Sequence, residues 1–255
     1  MKAYLAFSKK ELLESFRTYK MLIMMVIFIL FAVMSPAAAK LTPKIMEMAL
    51  PEGVSISMGD PTALDSWQQF FKNVGQMGLF VLVIMNSGLL IREINKGTLI
   101  NLLTKGLTRK TVILSKFSMA VLQWTIVYWV SEIITYYYTF LLWKDDHVKG
   151  LVGATVYLWI FGILLISIVI LASTIGKSTY TPLLLTGGIV ALLMFLQMIP
   201  KMNQYNPIQL ATDNYSIVSG TIVTSDLYKP LVVALIAILI NIVVSRIIFD
   251  KRKLQ

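Results

Sequence analysis

The chain has 255 residues, 57% of them hydrophobic and only 14% charged, with a net charge of +10 and a mean hydropathy of +0.75. Soluble globular chains hold about 45–50% apolar residues, so these values exclude that class and point to a polytopic membrane protein. The lack of cysteine and the single His147 exclude a disulfide framework and a thiolate or histidine zinc centre, and bases gathered at the ends of apolar runs, without interleaved aromatics, exclude a nucleic-acid surface.

Ser8 and Glu11 have capping-box spacing, and Leu12, Phe16 and Tyr19 then recur at helical intervals with Lys9, Lys10 and Arg17 on other faces. Residues 8–19 are therefore expected to form a helix along the inner membrane surface. The uncharged run 21–39 follows and is long enough for a first span. Its Ala37-Ala38-Ala39 end imitates a signal-peptide cleavage site, but Glu11 and Glu14 in the leader favour a retained helix. Residues 40–73 hold four acids, three bases and Pro43, Pro51 and Pro61, which places them outside with short surface helices, one over 65–71.

Residues 74–91 make a second span, 117–143 a third that is interrupted by Glu132, and 144–149 a short outer turn. The uncharged run 150–176 is the fourth span, 178–200 the fifth, with Lys177 in a minimal inner turn between them. The segment 201–229, with Pro207, several Asn and an apolar middle, is outer and leaves open a partial return into the membrane. A sixth span covers 230–249, with Arg246 able to snorkel, and 250–255 is a basic inner tail. The expected fold is all-α, one transmembrane domain over 1–255. Sixteen of the 23 bases fall on segments this map calls inner, so both termini are expected in the cytoplasm of a multi-pass cell-membrane protein.

Residues 92–116 stand apart from every apolar run. They carry Arg92, Lys96, Lys105, Arg109, Lys110 and Lys116 against Glu93 alone, which puts them on the cytoplasmic side. Gly97 permits a sharp turn, Thr98 suits a helix start, Leu99, Ile100, Leu102 and Leu103 form a sticky face, and Gly106 ends it. On the residues alone this short helix is either a docking knob or a helix lying on lipid headgroups.

Gly176-Lys177-Ser178 imitates the tail of a phosphate-binding loop, but Leu171 stands where that loop needs glycine and an apolar span precedes it. The chain has no nucleotide-binding motif and is not expected to be an enzyme. Glu132 is the one acid deep in a span, where a carboxylate costs at least ~2.5 kcal/mol. It serves either as structural glue with Tyr128, Ser131 or Tyr136, or as part of a substrate or proton path with Asn86, Gln197 and Asn241. Gln123 is a further polar group in the third span.

The loop resembles the cytosolic loop of ABC-2 type transporter permeases, the transmembrane subunits of ABC exporters. That pattern is a Glu, then Gly-Thr, Leu-Leu, a Ser/Thr-Arg pair and a Lys, here Glu93, Gly97-Thr98, Leu102-Leu103, Thr108-Arg109 and Lys116. Gly106 departs from it, since many relatives carry proline there. An elbow helix, six spans and an outer segment with Tyr205-Asn206-Pro207 and Leu210 extend the likeness over nearly the whole chain.

The resemblance implies a dimer of permease chains, identical or related, that forms the substrate pathway. It also implies two separate ABC ATPase subunits, which bind the ATP and Mg, with no cofactor or metal in this chain. A coupling helix at Thr98–Lys105 would dock the ATPase, with Glu93, Gly97, Thr98, Leu99, Leu102, Leu103 and Arg109 as the docking set. The expected cargo is an amphipathic drug, antibiotic or peptide. The alternative is a stand-alone immunity or sensor protein that binds a peptide without an ATPase.

Overall fold

The computed structural model describes residues 2–49, 59–144 and 146–252. Pro51 and the rest of the middle of the expected outer loop, Asp145 of the short turn, and the last three residues of the tail lie outside the described residues. The molecule is 83% helical, with no strand among the described residues. Five helical stretches are long and apolar enough to cross a membrane, and together with the composition they make the chain a multi-pass membrane protein.

Helix α1 (Lys2–Arg17) and α2 (Lys20–Ala49) meet at an elbow. Tyr19 makes the bend with φ of +56°, a left-handed conformation that is uncommon for a non-glycine residue. Ser8 and Glu11 do not cap a helix start as their spacing suggests: both are buried in the interior of α1, facing α7. The first crossing helix is also longer than expected, running on through Pro36 and Pro43. Polar side chains flank the prolines. Ser35 donates to the Phe31 carbonyl (2.6 Å) and accepts from Asn73 (3.0 Å), while Thr42 donates to Ala38 (2.7 Å).

The expected surface helix at 65–71 is instead the first part of the second crossing element. Helix α3 (Ala63–Lys72) passes through a wide π-helical turn (Asn73–Gly78) directly into α4 (Leu79–Ser87). Trp67, Phe70, Phe71 and Val74 are buried on one stripe, so this segment packs inward rather than lying on headgroups. Its start is sealed by Asp65, which accepts from the Thr62 amide (2.8 Å), and by Asp146, which accepts from the Ala63 amide (2.8 Å). Short helices α5 (Ile91–Asn95) and α6 (Thr98–Thr104) lead to α7 (Arg109–Leu142), a single 34-residue helix that begins eight residues before the expected third span. Helix α8 (Leu151–Ile175) is the most deeply buried element. Gly162 lets the Trp124 ring lie against its backbone, and the Trp124 indole donates to the Trp159 carbonyl (2.9 Å).

Helix α9 (Thr181–Gln197) has 17 residues, fewer than the expected 178–200. Pro182 sits in its first turn, and Pro200 holds Ile199 in an extended conformation that ends it. At ~1.5 Å per residue α9 reaches about 25 Å, short of a ~30 Å hydrocarbon core. The expected fifth crossing, and with it the total of six, thus rests on a helix shorter than its apolar run. Residues 200–227 fold into a packed cap of α10 (Pro200–Asn203), α11 (Gln209–Thr212), α12 (Asn214–Val218) and a 3-10 turn (Thr224–Leu227). Ile208, Leu210, Ile217 and Val218 are its buried face, and Asn214 donates to the Ala154 carbonyl of α8 (2.9 Å). Helix α13 (Tyr228–Lys251) closes the bundle against α8 and α7.

Candidate functional site

The chemistry expected of the loop at 92–116 is built from residues that the fold distributes unevenly. Gly97 has φ of +69° and forms the turn between α5 and α6, so it, and not Thr98, occupies the capping position. The Thr98 hydroxyl instead reaches back to the Glu93 carbonyl (3.3 Å). At the other end the Gly106 amide donates to Leu103 (3.0 Å) and the Leu107 amide to Leu102 (3.1 Å), a paired C-terminal closure that needs the φ of +92° found at Gly106. Proline cannot adopt that angle, so this exit differs in geometry from one built on proline.

Leu99 does not share an exposed face. It is 0% exposed and locks α6 to the bundle, and Leu102 and Leu103 are half-buried against the same core. The residues of this region that face outward are polar or basic: Lys96, Thr98, Asn101, Thr104 and Lys105. The sticky side of α6 therefore holds it to its own chain, and its free side offers positive charge and hydrogen bonds.

An ion cluster joins α1, α5 and α7, buried at Lys116, Glu11 and Glu93 and open to the surface at Lys10 and Glu14. Lys116, 3% exposed on α7, pairs with both Glu11 oxygens (2.9 Å each) and with Glu93 (2.9 Å). Lys10 pairs with Glu93, with Glu14 (2.6 Å) and with Glu11 (3.1 Å). Burial by itself would lower the Lys10 pKa, but hydrogen bonds to Glu14 and Glu93 and the charge of Glu11 outweigh it and hold the ammonium above its usual range. The carboxylates of Glu11, Glu14 and Glu93 come within 4.8 Å of one another, yet the two ammonium groups fill the places a cation would take, so the cluster is an ionic clamp and not a metal centre. Ser8 and Ser115 (2.6 Å) and Tyr4 and Ser118 (2.6 Å) extend the α1–α7 seam. The clamp binds the elbow, the end of the second crossing element and the start of the third into one block.

Arg109 does not pair with Glu93. Thr108 caps α7 by accepting from the Thr111 amide (3.3 Å), which aims Arg109 at the far end of α13. There it donates to the carbonyls of Phe249, Asp250 (3.2 Å) and Arg252 (2.7 Å) and lies over the Phe249 ring. Arg252 in turn donates to Ser173 (3.1 Å), Thr174 (2.9 Å) and Gly176 (2.8 Å) at the end of α8. Two arginines thus satisfy the free carbonyls of two helix C-termini, where the helix dipole also favours positive charge. Gly176 of the phosphate-loop look-alike is one of those carbonyls, and a helix, not a strand, precedes it.

Sequence reasoning missed Lys10, Glu11 and Arg252. The acids in α1 were a signal, since acids in an otherwise basic leader ask for partners; Arg252 gave none, because its partners lie about 76–79 positions away.

The four candidate pathway residues are not brought together. Asn86 is buried, accepting from Lys20 (2.9 Å) and donating to Leu82 (2.7 Å). Gln197 donates to Thr212 (3.1 Å), and Asn241 donates to Ser167 (3.0 Å) across the α13–α8 seam. Glu132 is half-buried with no hydrogen-bond partner among the described residues; neighbouring Tyr128 donates to Thr155 (2.8 Å) and Ser131 to Tyr128 (2.7 Å).

No curated protein matches the chain. An all-helical bundle with five helices long and apolar enough to cross a membrane agrees with the all-α membrane class expected of the sequence, and residues 5–254 match the model of the ABC-2 family transporter proteins, the family to which this chain belongs.

Proposed function

We propose that the chain is the permease subunit of an ATP-driven exporter, paired with a second permease chain and with two separate ABC ATPase subunits that carry ATP and Mg. In this reading the termini are cytoplasmic, α9 is a short fifth crossing that brings the total to six, and α6 docks in a groove of the ATPase. The observation that carries it is the mounting of α6. Gly97 and Gly106 set its ends, Leu99 roots it, and the Lys116 clamp and the two arginines join its flanks to the elbow and to the ends of α8 and α13. A push on α6 would reach those helices together, because ionic clamps and capped helix ends resist shear more than side-chain packing alone.

Since the outward face is basic and polar, the partner groove should offer carboxylates or carbonyl oxygens. Adding a negative charge with Asn101→Asp and reversing one with Lys105→Glu alters exposed residues alone, so membrane insertion and thermal stability should be unchanged while ATPase copurification falls sharply. Retention of the ATPase at full stoichiometry by that double variant, with transport intact, would return the loop to a headgroup-bound helix and move the docking site elsewhere; a parent protein that recruits no ATPase would put the stand-alone reading ahead.

A further inference from the structure

A cavity of about 1110 Å³ opens between the second crossing element, α8 and α9, and is roofed by α11 and α12. It holds none of the four residues the sequence suggested for a pathway. Its volume is slightly above the usual ~300–1,000 Å³ of ligand pockets, enough for one elongated small molecule.

The lining changes character along its length. Gln68, Lys72, Gln76 and Phe80 follow one another at four-residue steps on the exposed side of the second crossing element, polar at the cap end and apolar deeper in. The π-helical turn falls in the middle of this stripe, a distortion often found where a helix serves a site. Lys72 is the sole charged residue of the lining and makes no ion pair among the described residues. Deeper in, the walls are Leu79, Phe161 and Leu183.

Two buried polar atoms in the same lining lack partners. Thr186 on α9 is 1% exposed, and its hydroxyl makes no hydrogen bond. Asn214, also 1% exposed, spends its amide nitrogen on Ala154 (2.9 Å) and Leu210 (3.1 Å), which leaves its carbonyl oxygen free. Buried polar groups are otherwise nearly always paired, and each orphan costs free energy unless something fills the need.

We propose that this cavity binds a single-chain amphiphile with an anionic head group. The head sits at Lys72 with the amides of Gln68 and Gln76, the hydrocarbon body lies between α4, α8 and α9, and polar groups near the head meet Thr186 and Asn214. That the amphiphile is cargo rests on the permease reading; that it binds does not.

The test uses the full-length protein in phosphatidylcholine nanodiscs with a diazirine-bearing long-chain fatty acid and the primary amine of the same chain, photolabelled sites being mapped by mass spectrometry. The acid should label cavity residues such as Phe80 and Leu183, and the amine should label them roughly tenfold less, the worth of one charge-assisted hydrogen bond. Lys72→Ala should bring acid and amine to the same level. Gly187→Leu should cut labelling by a similar factor, because a side chain there meets open space in the cavity and leucine favours helix. Thr186→Val is a second, gentler probe that keeps the shape of the wall.

Repeating the acid labelling in phosphatidylglycerol nanodiscs separates the sources: persistence identifies a free single-chain amphiphile, and competition by the two-chain bulk lipid identifies a membrane lipid as occupant and overturns the single-chain assignment. Label scattered over exposed α13 residues such as Leu239, equal labelling by acid and amine, or wild-type labelling of Gly187→Leu overturns the site. Should the ATPase copurify while the cavity stays unlabelled, the site fails and the permease reading stands. Cavity labelling in a protein that recruits no ATPase has the opposite meaning.

Discussion

Around Lys116 ammonium and carboxylate groups pair with one another and arginines cover the ends of α8 and α13, whereas around Thr186 a large cavity is bordered by two buried polar atoms without hydrogen-bond partners. Helix α9 buries little beyond Pro182 and Thr186 and exposes Leu184, Leu192 and Phe195, while α7, rooted in the clamp, buries residues along its whole length. The contrast separates two mechanical duties. The clamp end converts the elbow, the loop helix and two crossing elements into one stiff block, and the α9 side keeps the few buried contacts of a part that moves or receives a ligand.

The largest expected effect comes from breaking the clamp. Lys116→Ala would strand Glu11 and Glu93 as buried, partly compensated carboxylates, and removing one partner of a buried pair costs about 3–5 kcal/mol. Thermal unfolding of the purified protein in detergent should show a large fall in stability. A triple change of Lys116, Glu11 and Glu93 to apolar residues of similar size should recover much of it, because no charge is then left unpaired. If Lys116→Ala unfolds like the parent, the clamp is not what stiffens this end.

Next in size is the pair of capping arginines. Arg252→Ala removes three bonds to the end of α8, and charge-assisted hydrogen bonds contribute about 1.5–3 kcal/mol each in favourable cases, with water able to replace some of that at an exposed end. A moderate loss of stability is expected. It should be accompanied by faster hydrogen exchange at Ser173–Gly176 and little change near Thr186; uniform change across the bundle would blur the division into two regions.

Gly106→Pro is expected to cost about 1–3 kcal/mol, since proline cannot hold the left-handed angle that closes α6. The cost should appear as local protease sensitivity at 104–108 with insertion unchanged. The smallest effect belongs to the cavity wall. Thr186→Val deletes a buried hydroxyl that has no partner and should be neutral or stabilising by up to ~1 kcal/mol in the ligand-free protein. A clear destabilisation there would mean that the hydroxyl is engaged and would shrink the contrast.

The apolar runs and the base distribution were enough to announce the helices, the loop at 92–116 and the last helix, because burial in hydrocarbon needs long uncharged stretches whatever their neighbours are. The same reasoning mistook 65–71 for a surface helix: a stripe of Trp67, Phe70 and Phe71 is equally good against headgroups and against α2, and only packing chooses. Leu99 was misjudged for the same reason, a leucine in a polar loop being as well suited to an absent partner as to its own core. The loop's charge was legible, but its division of labour was not. Glu93 and Arg109, alike in the sequence as charges that bracket α6, turn to different elements because Lys10 and Lys116 arrive from α1 and α7 and the carbonyls of α13 arrive from the end of the chain. Composition and periodicity report what each segment can bury. Which polar groups meet, and which are left to form the cavity lining at Thr186 and Asn214, depends on contacts between residues far apart in the chain, and tertiary packing alone decides those.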